Sequence, residues 1–242
     1  MMRGLLQDDA AAADAYLAWW QLAGVDCAVA ETPVDWLRPV SSRPSGAQGV
    51  PSAAPVVEKP RTLESFLDWL ANDPAQPERR WSSTQIAPVG ASNAALMVVT
   101  DMPDPADLGE ARLLADRAGT LFDAMLRAIG LDRGAIHLAS LFTARPPGGM
   151  VEASDLATAA TRMRTHVALA QPRRLLLLGD RTIRALIASG DGAPASGLRD
   201  FNHDGGNVPV IATFHPRLLL TQPAAKAECW TILQSLIEEA RP

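Results

Sequence analysis

Short apolar runs alternate with longer stretches of helical periodicity through the second half of the chain. Four of these runs are predicted to be strands, and the first of them is continuous and apolar, as expected of a strand buried on both faces of a sheet. They cover residues 94–100, 136–142, 174–178 and 208–212. Between and after them, apolar residues recur every three or four positions, which predicts amphipathic helices. The predicted helices cover residues 113–130, 154–170, 181–188 and 223–240.

Strands that alternate with helices favour a parallel sheet with helices packed on both faces. The predicted fold class is therefore α/β, a three-layer α/β/α arrangement around a central four-stranded parallel sheet. We assign residues 61–242 to this domain, in which Thr62 can cap a short first helix. Residues 1–30 are predicted to form a tryptophan-rich N-terminal helix. Residues 31–60, rich in proline, serine and alanine, are predicted to be a linker.

Composition adds limits on function. The 242 residues are 48% hydrophobic, enough for one substantial core. A net charge of −5 argues against a protein that coats nucleic acid indiscriminately. Residues 133–217 differ from this average, with ten arginines, no lysine and six acidic residues. That segment permits a surface that faces phosphates.

The two cysteines and the start of the chain give indications of the cellular compartment in which the protein is found. Cys27 and Cys229 are far apart and have no companion at metal-binding spacing, so neither a disulfide framework nor a metal site is expected. The chain turns acidic at Asp8 before any apolar core develops, unlike a signal peptide, and no apolar run approaches membrane-spanning length. We therefore expect a cytoplasmic, monomeric protein without membrane association.

Polar residues follow the predicted strands, at the edge where open α/β sheets handle ligands. Asp101 follows the first strand, Gly179 the third and His215 the fourth. Asp101 can activate a water as a general base, and His215 can stabilise a developing anion. Gly179 can let a phosphate approach backbone amides. Each also has a structural explanation, as a turn cap, a satisfied histidine and a packing position, and the residues alone leave both open.

Seven short motifs follow one another between residues 96 and 233. They are Thr100-Asp101-Met102-Pro103-Asp104, Arg117-Ala118-Gly119-Thr120-Leu121, Ile129-Gly130-Leu131-Asp132-Arg133, Arg145-Pro146-Pro147-Gly148, Leu178-Gly179, Leu198-Arg199, and Thr213-Phe214-His215-Pro216 with Leu219-Leu220, Lys226 and Trp230. In this order and at these separations they resemble the uracil-DNA glycosylase superfamily, most closely its family-4 and family-5 branches. No single motif is specific, but the series is.

The resemblance implies an activity in base excision repair, in which a damaged base is flipped out of DNA and held in a pocket. It implies that Asp101 helps a water attack the sugar carbon and that His215 stabilises charge on the departing base. It also implies a set of residues close to the DNA backbone. These are Pro103, Arg145, Pro147, Gly179 and Arg217.

Departures from the family pattern concern the cofactor. Family-4 members hold an iron–sulfur cluster through four cysteines. Two of those positions fall on Ala144 and about Ala159, and the N-terminal Cys-x-x-Cys pair is missing. Because such a cluster requires thiolate ligands, we expect neither a cluster nor another cofactor or metal.

Further departures concern the base pocket. Leu114 stands where the family has the aromatic residue that stacks on the flipped base, and Ser140 stands where it has the asparagine that reads uracil. Asp101 replaces a glutamate, and Asp104 replaces a glycine and adds negative charge near the phosphates. Weak activity on uracil itself is therefore expected.

Two functions from different classes remain open. The first is a divergent DNA glycosylase that acts on another lesion, which the retained Asp101 and His215 favour. The second is a non-catalytic DNA-binding or protein-interaction module that keeps the glycosylase fold, which Asp104 and the lost asparagine favour. A third hypothesis is that the N-terminal helix recruits a repair or replication protein.

Overall fold

A computed structural model describes residues 60–187 and 199–238 of the chain. The predicted N-terminal helix (1–30) and all but the last residue of the predicted linker (31–60) lie outside these ranges. Short 3₁₀ turns occur at Pro77–Arg80, Arg133–Ala135 and Pro147–Gly149. The strands are β1 (Leu96–Thr100), β2 (Ile136–Ser140), β3 (Leu175–Leu178), β4 (Arg199–His203) and β5 (Gly206–Thr213). The helices are α1 (Leu63–Asn72), α2 (Pro105–Glu110), α3 (Asp116–Ala128), α4 (Ala153–Ala170), α5 (Asp180–Leu186), α6 (Pro216–Thr221) and α7 (Ala225–Glu238).

The sheet has the strand order β2-β1-β3-β5-β4. Its first four strands are parallel and correspond to the four predicted strands. The predicted strand count is wrong, because β4 adds a fifth, antiparallel strand at the edge, paired with β5. Only Phe201 of β4 is buried, so this strand lacks the continuous apolar run that marks its neighbours.

Side chains of the parallel strands alternate between two cores, one on each face of the sheet. Leu96 and Val98 of β1 belong to the core covered by α3 and α7. Met97 and Val99 belong to the opposite core, which α4 and α5 cover. All five β1 residues are buried, as expected of a strand covered on both faces. The three-layer α/β/α arrangement is confirmed.

Local sequence explains where α1 begins. Thr62 is its N-cap, as predicted: its hydroxyl oxygen accepts a hydrogen bond from the Ser65 backbone N–H (3.2 Å), and the Ser65 hydroxyl oxygen accepts one from the Thr62 N–H (3.2 Å). The six-residue helices α2 and α6, which the periodicity does not predict, each begin with proline at the first position.

Helix α3 begins at Asp116 rather than at residue 113, because a tight loop precedes it. Leu114 and Asp116 in this loop have positive φ angles of 52° and 53°. The Leu114 carbonyl oxygen approaches Gly119 so closely that a Cβ at Gly119 would lie 1.9 Å from it. The guanidinium of Arg133 donates to the carbonyls of Leu113 (2.8 Å) and Leu114 (2.5 Å), which fixes the loop.

A buried ion pair attaches the segment before β1 to the loop after β2. The Arg162 guanidinium binds both carboxylate oxygens of Glu78 (2.5 and 3.1 Å) and donates to the Leu141 carbonyl (2.5 Å). The Thr143 backbone N–H donates to Glu78 (3.1 Å). Burial raises the pKa of Glu78, but the hydrogen bond and charge of Arg162 outweigh burial and leave the pKa below its ordinary value.

Across residues 60–187 and 199–238, no helix combines the length and the apolar character needed to span a membrane.

Candidate active site

The parallel strands all end at the same edge of the sheet, and a cavity of about 320 Å³ lies at this edge. Asp101, from the loop after β1, and His215, which follows β5, both line it. Its volume is at the lower end of the range found for small-molecule pockets. The remaining lining residues are Gly179, Asp180, Arg181, Arg217, Leu218 and Thr221.

Asp101 is the first residue after β1, and two groups hold its carboxylate. One oxygen, Oδ1, accepts a hydrogen bond from the Met102 backbone N–H at 2.8 Å. The other, Oδ2, accepts from the guanidinium of Arg181 at 3.3 Å. The carboxylate is therefore oriented at the cavity wall while part of it remains exposed to solvent.

His215 caps helix α6, and its hydrogen bonds define its tautomer. Nδ1 accepts from the Arg217 backbone N–H (3.1 Å), so the proton of the neutral ring lies on Nε2, which donates to Thr100 Oγ1 (3.0 Å). Burial lowers the pKa of His215 below its ordinary value. The charge of Asp101 partly opposes this shift, and that of Arg217 adds to it. The ring is therefore neutral at pH 7.

Arg181 is a site residue that the sequence reasoning missed. Besides Asp101, its guanidinium contacts Met102 Sδ (3.7 Å) and donates to the Gly149 carbonyl (3.4 Å). It thereby connects the loops that follow β1 and β2. Arg181 comes two positions after Gly179, in the first turn of α5. Extending the list of candidate residues from the ends of the strands into this first helical turn would have included it.

The two arginines predicted near phosphates bind an internal carboxylate in this structure. Arg145 Nη1 lies 3.4 Å from Asp104 Oδ1, and Arg217 Nη2 forms an ion pair with Asp104 Oδ2. Burial raises the pKa of Asp104, and the charge of Asp107 acts in the same direction, whereas Arg217 and Arg145 oppose it. Asp104 thus joins the loops after β1 and β2 to the first turn of α6.

The other predicted DNA contacts differ in exposure. Gly179 lines the cavity with φ +89°, but its N–H donates to the Thr213 carbonyl (2.9 Å). A Cβ at Gly179 would lie 3.3 Å from His215 Cβ, so glycine leaves room for the ring. Pro147 is exposed at the start of its 3₁₀ turn. Pro103 is buried, and its carbonyl accepts from Arg145 (3.3 Å).

Neither of the two predicted base-pocket residues is among those that line the cavity. Leu114 is 2% exposed and packs in the core that includes Phe122. Ser140 is buried, and its hydroxyl donates to the Phe142 carbonyl at 2.7 Å. The structure therefore brings Asp101, Gly179, His215 and Arg217 together at the cavity, whereas Leu114 and Ser140 are buried and do not line it.

The side chains do not fit an iron–sulfur cluster. Ala144 and Ala159 are fully buried and carry methyl groups where thiolates would be needed. Cys229 is the one cysteine within the described ranges, and there it accepts a hydrogen bond from Thr213 (3.3 Å). In the same ranges, no group of three or more His, Cys, Asp or Glu residues is arranged to hold a metal ion.

Comparison with protein-family models matches residues 87–235 to the Uracil DNA glycosylase superfamily. The matched residues cover more than half of the chain. They include every strand of the sheet and all the residues that line the cavity.

Proposed function

Because the chain belongs to the uracil-DNA glycosylase superfamily, we propose that it hydrolyses the N-glycosidic bond of a damaged base flipped out of DNA. One observation carries this proposal: Asp101 and His215, far apart in the sequence, line the same cavity at the carboxyl edge of the sheet. The pair supplies a carboxylate and a neutral hydrogen-bond donor, the two groups that this reaction requires.

Asp101 acts on the nucleophile. A water beside its carboxylate attacks C1′ of the sugar and transfers a proton to Asp101, while the bond from C1′ to the base nitrogen breaks. The water oxygen remains on the sugar as the hydroxyl of an abasic site. Arg181 and the Met102 backbone N–H keep the carboxylate in a fixed orientation, which lowers the entropic cost of placing the water.

His215 acts on the leaving group. The electron pair of the broken bond leaves with the base, and the Nε2–H of His215 is the single donor of the neutral ring. This donor contacts Thr100 Oγ1 in the structure, so the departing base shares or replaces that bond. A fixed neutral donor of this kind contributes about 10²–10³-fold to such rates.

We propose that activity on uracil itself is weak. Leu114 and Ser140 are buried and do not line the cavity, and a leucine and a serine supply neither a stacking ring nor an asparagine amide from these positions.

The test compares wild-type protein with Asp101→Asn and His215→Gln on oligonucleotides that contain uracil, hypoxanthine or xanthine. Wild type is expected to form abasic sites in at least one of them, with both variants slower by about 10²-fold or more. Asp204→Asn, which lies in the β4–β5 turn at the opposite edge of the sheet, is the control and keeps the wild-type rate. The proposal would be overturned if, on all three substrates, wild type forms abasic sites no faster than a double variant that combines Asp101→Asn with His215→Gln.

A non-catalytic DNA-binding or protein-interaction module is the second candidate. The positions of Leu114 and Ser140 favour it, because a protein that no longer reads bases has no need of those side chains in its cavity. This function predicts DNA or protein binding without abasic sites in the same experiment.

A further inference from the structure

We propose that the Asp104 carboxylate occupies the place of a DNA phosphate between Arg145 and Arg217, and that nucleic acid reaches these arginines only by displacing it. The inference rests on the proposed function in one respect, which is that the anionic ligand is DNA. It concerns Asp104, which occupies a position where the uracil-DNA glycosylase pattern has a glycine.

The geometry of the three side chains is that of a bound anion. Two guanidinium groups, one from the loop after β2 and one from the first turn of α6, meet opposite oxygens of one carboxylate. Guanidinium groups bind carboxylates and phosphates through the same planar donors, so the two anions compete for one position. The backbone of Asp104 is anchored separately, since its N–H donates to Asp107 Oδ2 at 3.0 Å.

Burial places the carboxylate beneath the arginines. The side chain of Asp104 is 14% exposed, whereas those of Arg145 and Arg217 are 29% and 48% exposed. A ligand that approaches from solvent therefore meets the guanidinium groups first, but Arg145 Nη1 and Arg217 Nη2 already pair with the carboxylate, and a phosphate takes these two donors only by displacing it. Burial also raises the pKa of Asp104, which shows that holding this charge here has a desolvation cost.

Arg181, which lines the cavity together with Arg217, is engaged in the same manner, because it pairs with Asp101. Both arginines that line the cavity are thus paired with carboxylates of the protein itself. DNA affinity that depends on them is expected to be low and to vary little with salt, because few counterions are released when paired arginines bind DNA.

The experiment measures binding of a labelled lesion-free oligonucleotide, single- and double-stranded, by fluorescence anisotropy between about 50 and 200 mM salt. Asp104→Asn is expected to bind about tenfold more tightly at the lowest salt. Its plot of log affinity against log salt is expected to steepen by about 1.4–1.8, the release of two arginines at 0.7–0.9 each. Asp204→Asn removes the same charge at the opposite sheet edge and is expected to match wild type.

In a double variant with Asp104→Asn and Arg217→Gln, the plot of log affinity against log salt is expected to steepen by only about half as much as in Asp104→Asn alone. The proposal is overturned if Asp104→Asn matches Asp204→Asn, or if it binds more weakly. Should Asp104→Asn not fold, Asp104→Ser takes its place, because Asp104 is the N-cap residue of α2 and serine also caps helices. Failure of both to fold would show that Asp104 holds the loops together and would contradict a displaceable carboxylate.

The outcome is separate from that of the glycosylase test. If Asp104→Asn binds DNA more tightly and with greater salt sensitivity, but wild type forms no abasic sites, the inference is supported and the proposed glycosylase reaction is contradicted. If wild type forms abasic sites but Asp104→Asn binds DNA as wild type does, the proposed glycosylase reaction is supported and the inference about Asp104 is contradicted.

Discussion

His215 combines two hydrogen bonds of opposite direction, and together they assign a role to each ring nitrogen. Nδ1 is occupied by the Arg217 backbone N–H, so only Nε2 can donate. An uncharged donor suits a base that leaves with a negative charge, because it stabilises the charge without requiring the ring to hold a proton while buried.

The pKa of His215 provides the first prediction. Nitrogen NMR of the ring is expected to show the Nε2–H tautomer and a pKa below the ordinary 6.5, because burial disfavours the charged form. Asp101→Asn removes a charge that raises this pKa and is expected to lower it further. Arg217→Gln removes one that lowers it and is expected to raise it. A pKa at or above 6.5 in wild type contradicts this description of the site.

Gly119 and Gly109 form a matched pair for a second prediction. Both lie in helices, but a Cβ at Gly119 meets the Leu114 carbonyl at 1.9 Å, whereas a Cβ at Gly109 meets nothing within 4 Å. Gly119→Ala is expected to lower the free energy of unfolding by about 1–3 kcal/mol through overpacking. Gly109→Ala is expected to raise it by about 0.5–1 kcal/mol. Urea unfolding of both variants measures the difference, and equal effects would contradict the close approach.

At the scale of elements, strands were more predictable than helix ends. Strands whose two faces are both covered are mostly apolar, so β1, β2, β3 and β5 are visible in the sequence. Strand β4 is not visible in the sequence, because Phe201 is its one buried residue. The start of α3 depends on a left-handed turn at Leu114, and a leucine carries no local signal for positive φ.

The ion pair of Glu78 and Arg162 is an element-level connection, since it joins the segment before β1 to α4 and to the loop after β2. Glu78→Gln leaves the buried arginine without its counter-charge and is expected to lower the free energy of unfolding by about 3–5 kcal/mol. Glu110→Gln breaks an exposed pair with Arg112 and is expected to change it by less than about 1 kcal/mol. Similar losses of unfolding free energy in both variants would show that the buried ion pair stabilises the protein no more than the exposed one does.

At the scale of the whole molecule, three histidines are kept uncharged by burial. His137 and His166 share a hydrogen bond between their Nε2 atoms at 3.0 Å, and burial lowers the pKa of both. His215 behaves likewise. Each of these rings binds a proton more readily in the unfolded chain than in the folded one, so acid favours unfolding.

Stability is therefore expected to be constant above the unfolded histidine pKa of about 6.5 and to fall as the pH decreases below it. The limiting slope is about 1.4 kcal/mol per pH unit for each histidine that remains neutral when folded. Urea unfolding between about pH 7.5 and 5.5 measures it, a range above most carboxyl titrations. His166→Gln is expected to reduce the slope, and a flat profile in wild type would contradict the buried neutral state.

The candidate site was partly predictable for a reason that concerns the whole fold. Parallel strands bring their carboxyl ends to one edge, so Asp101 and His215 could be placed together from the sequence. The predicted base-pocket positions depended on motif order, which does not show where Leu114 points. The pairing of Asp104 with Arg145 and Arg217 depends on three loops at once, and no local pattern reveals it.

The most direct test of the proposed activity follows the two products in water enriched in oxygen-18. Wild type is expected to release an intact damaged base without the label, because water attacks the sugar carbon and not the base, and to leave an abasic sugar, both read by mass spectrometry. Asp101→Asn with His215→Gln is expected to abolish both products. Release of base by wild type no greater than by this double variant, for every lesion tried, would contradict the assignment of these two residues to glycosidic bond cleavage.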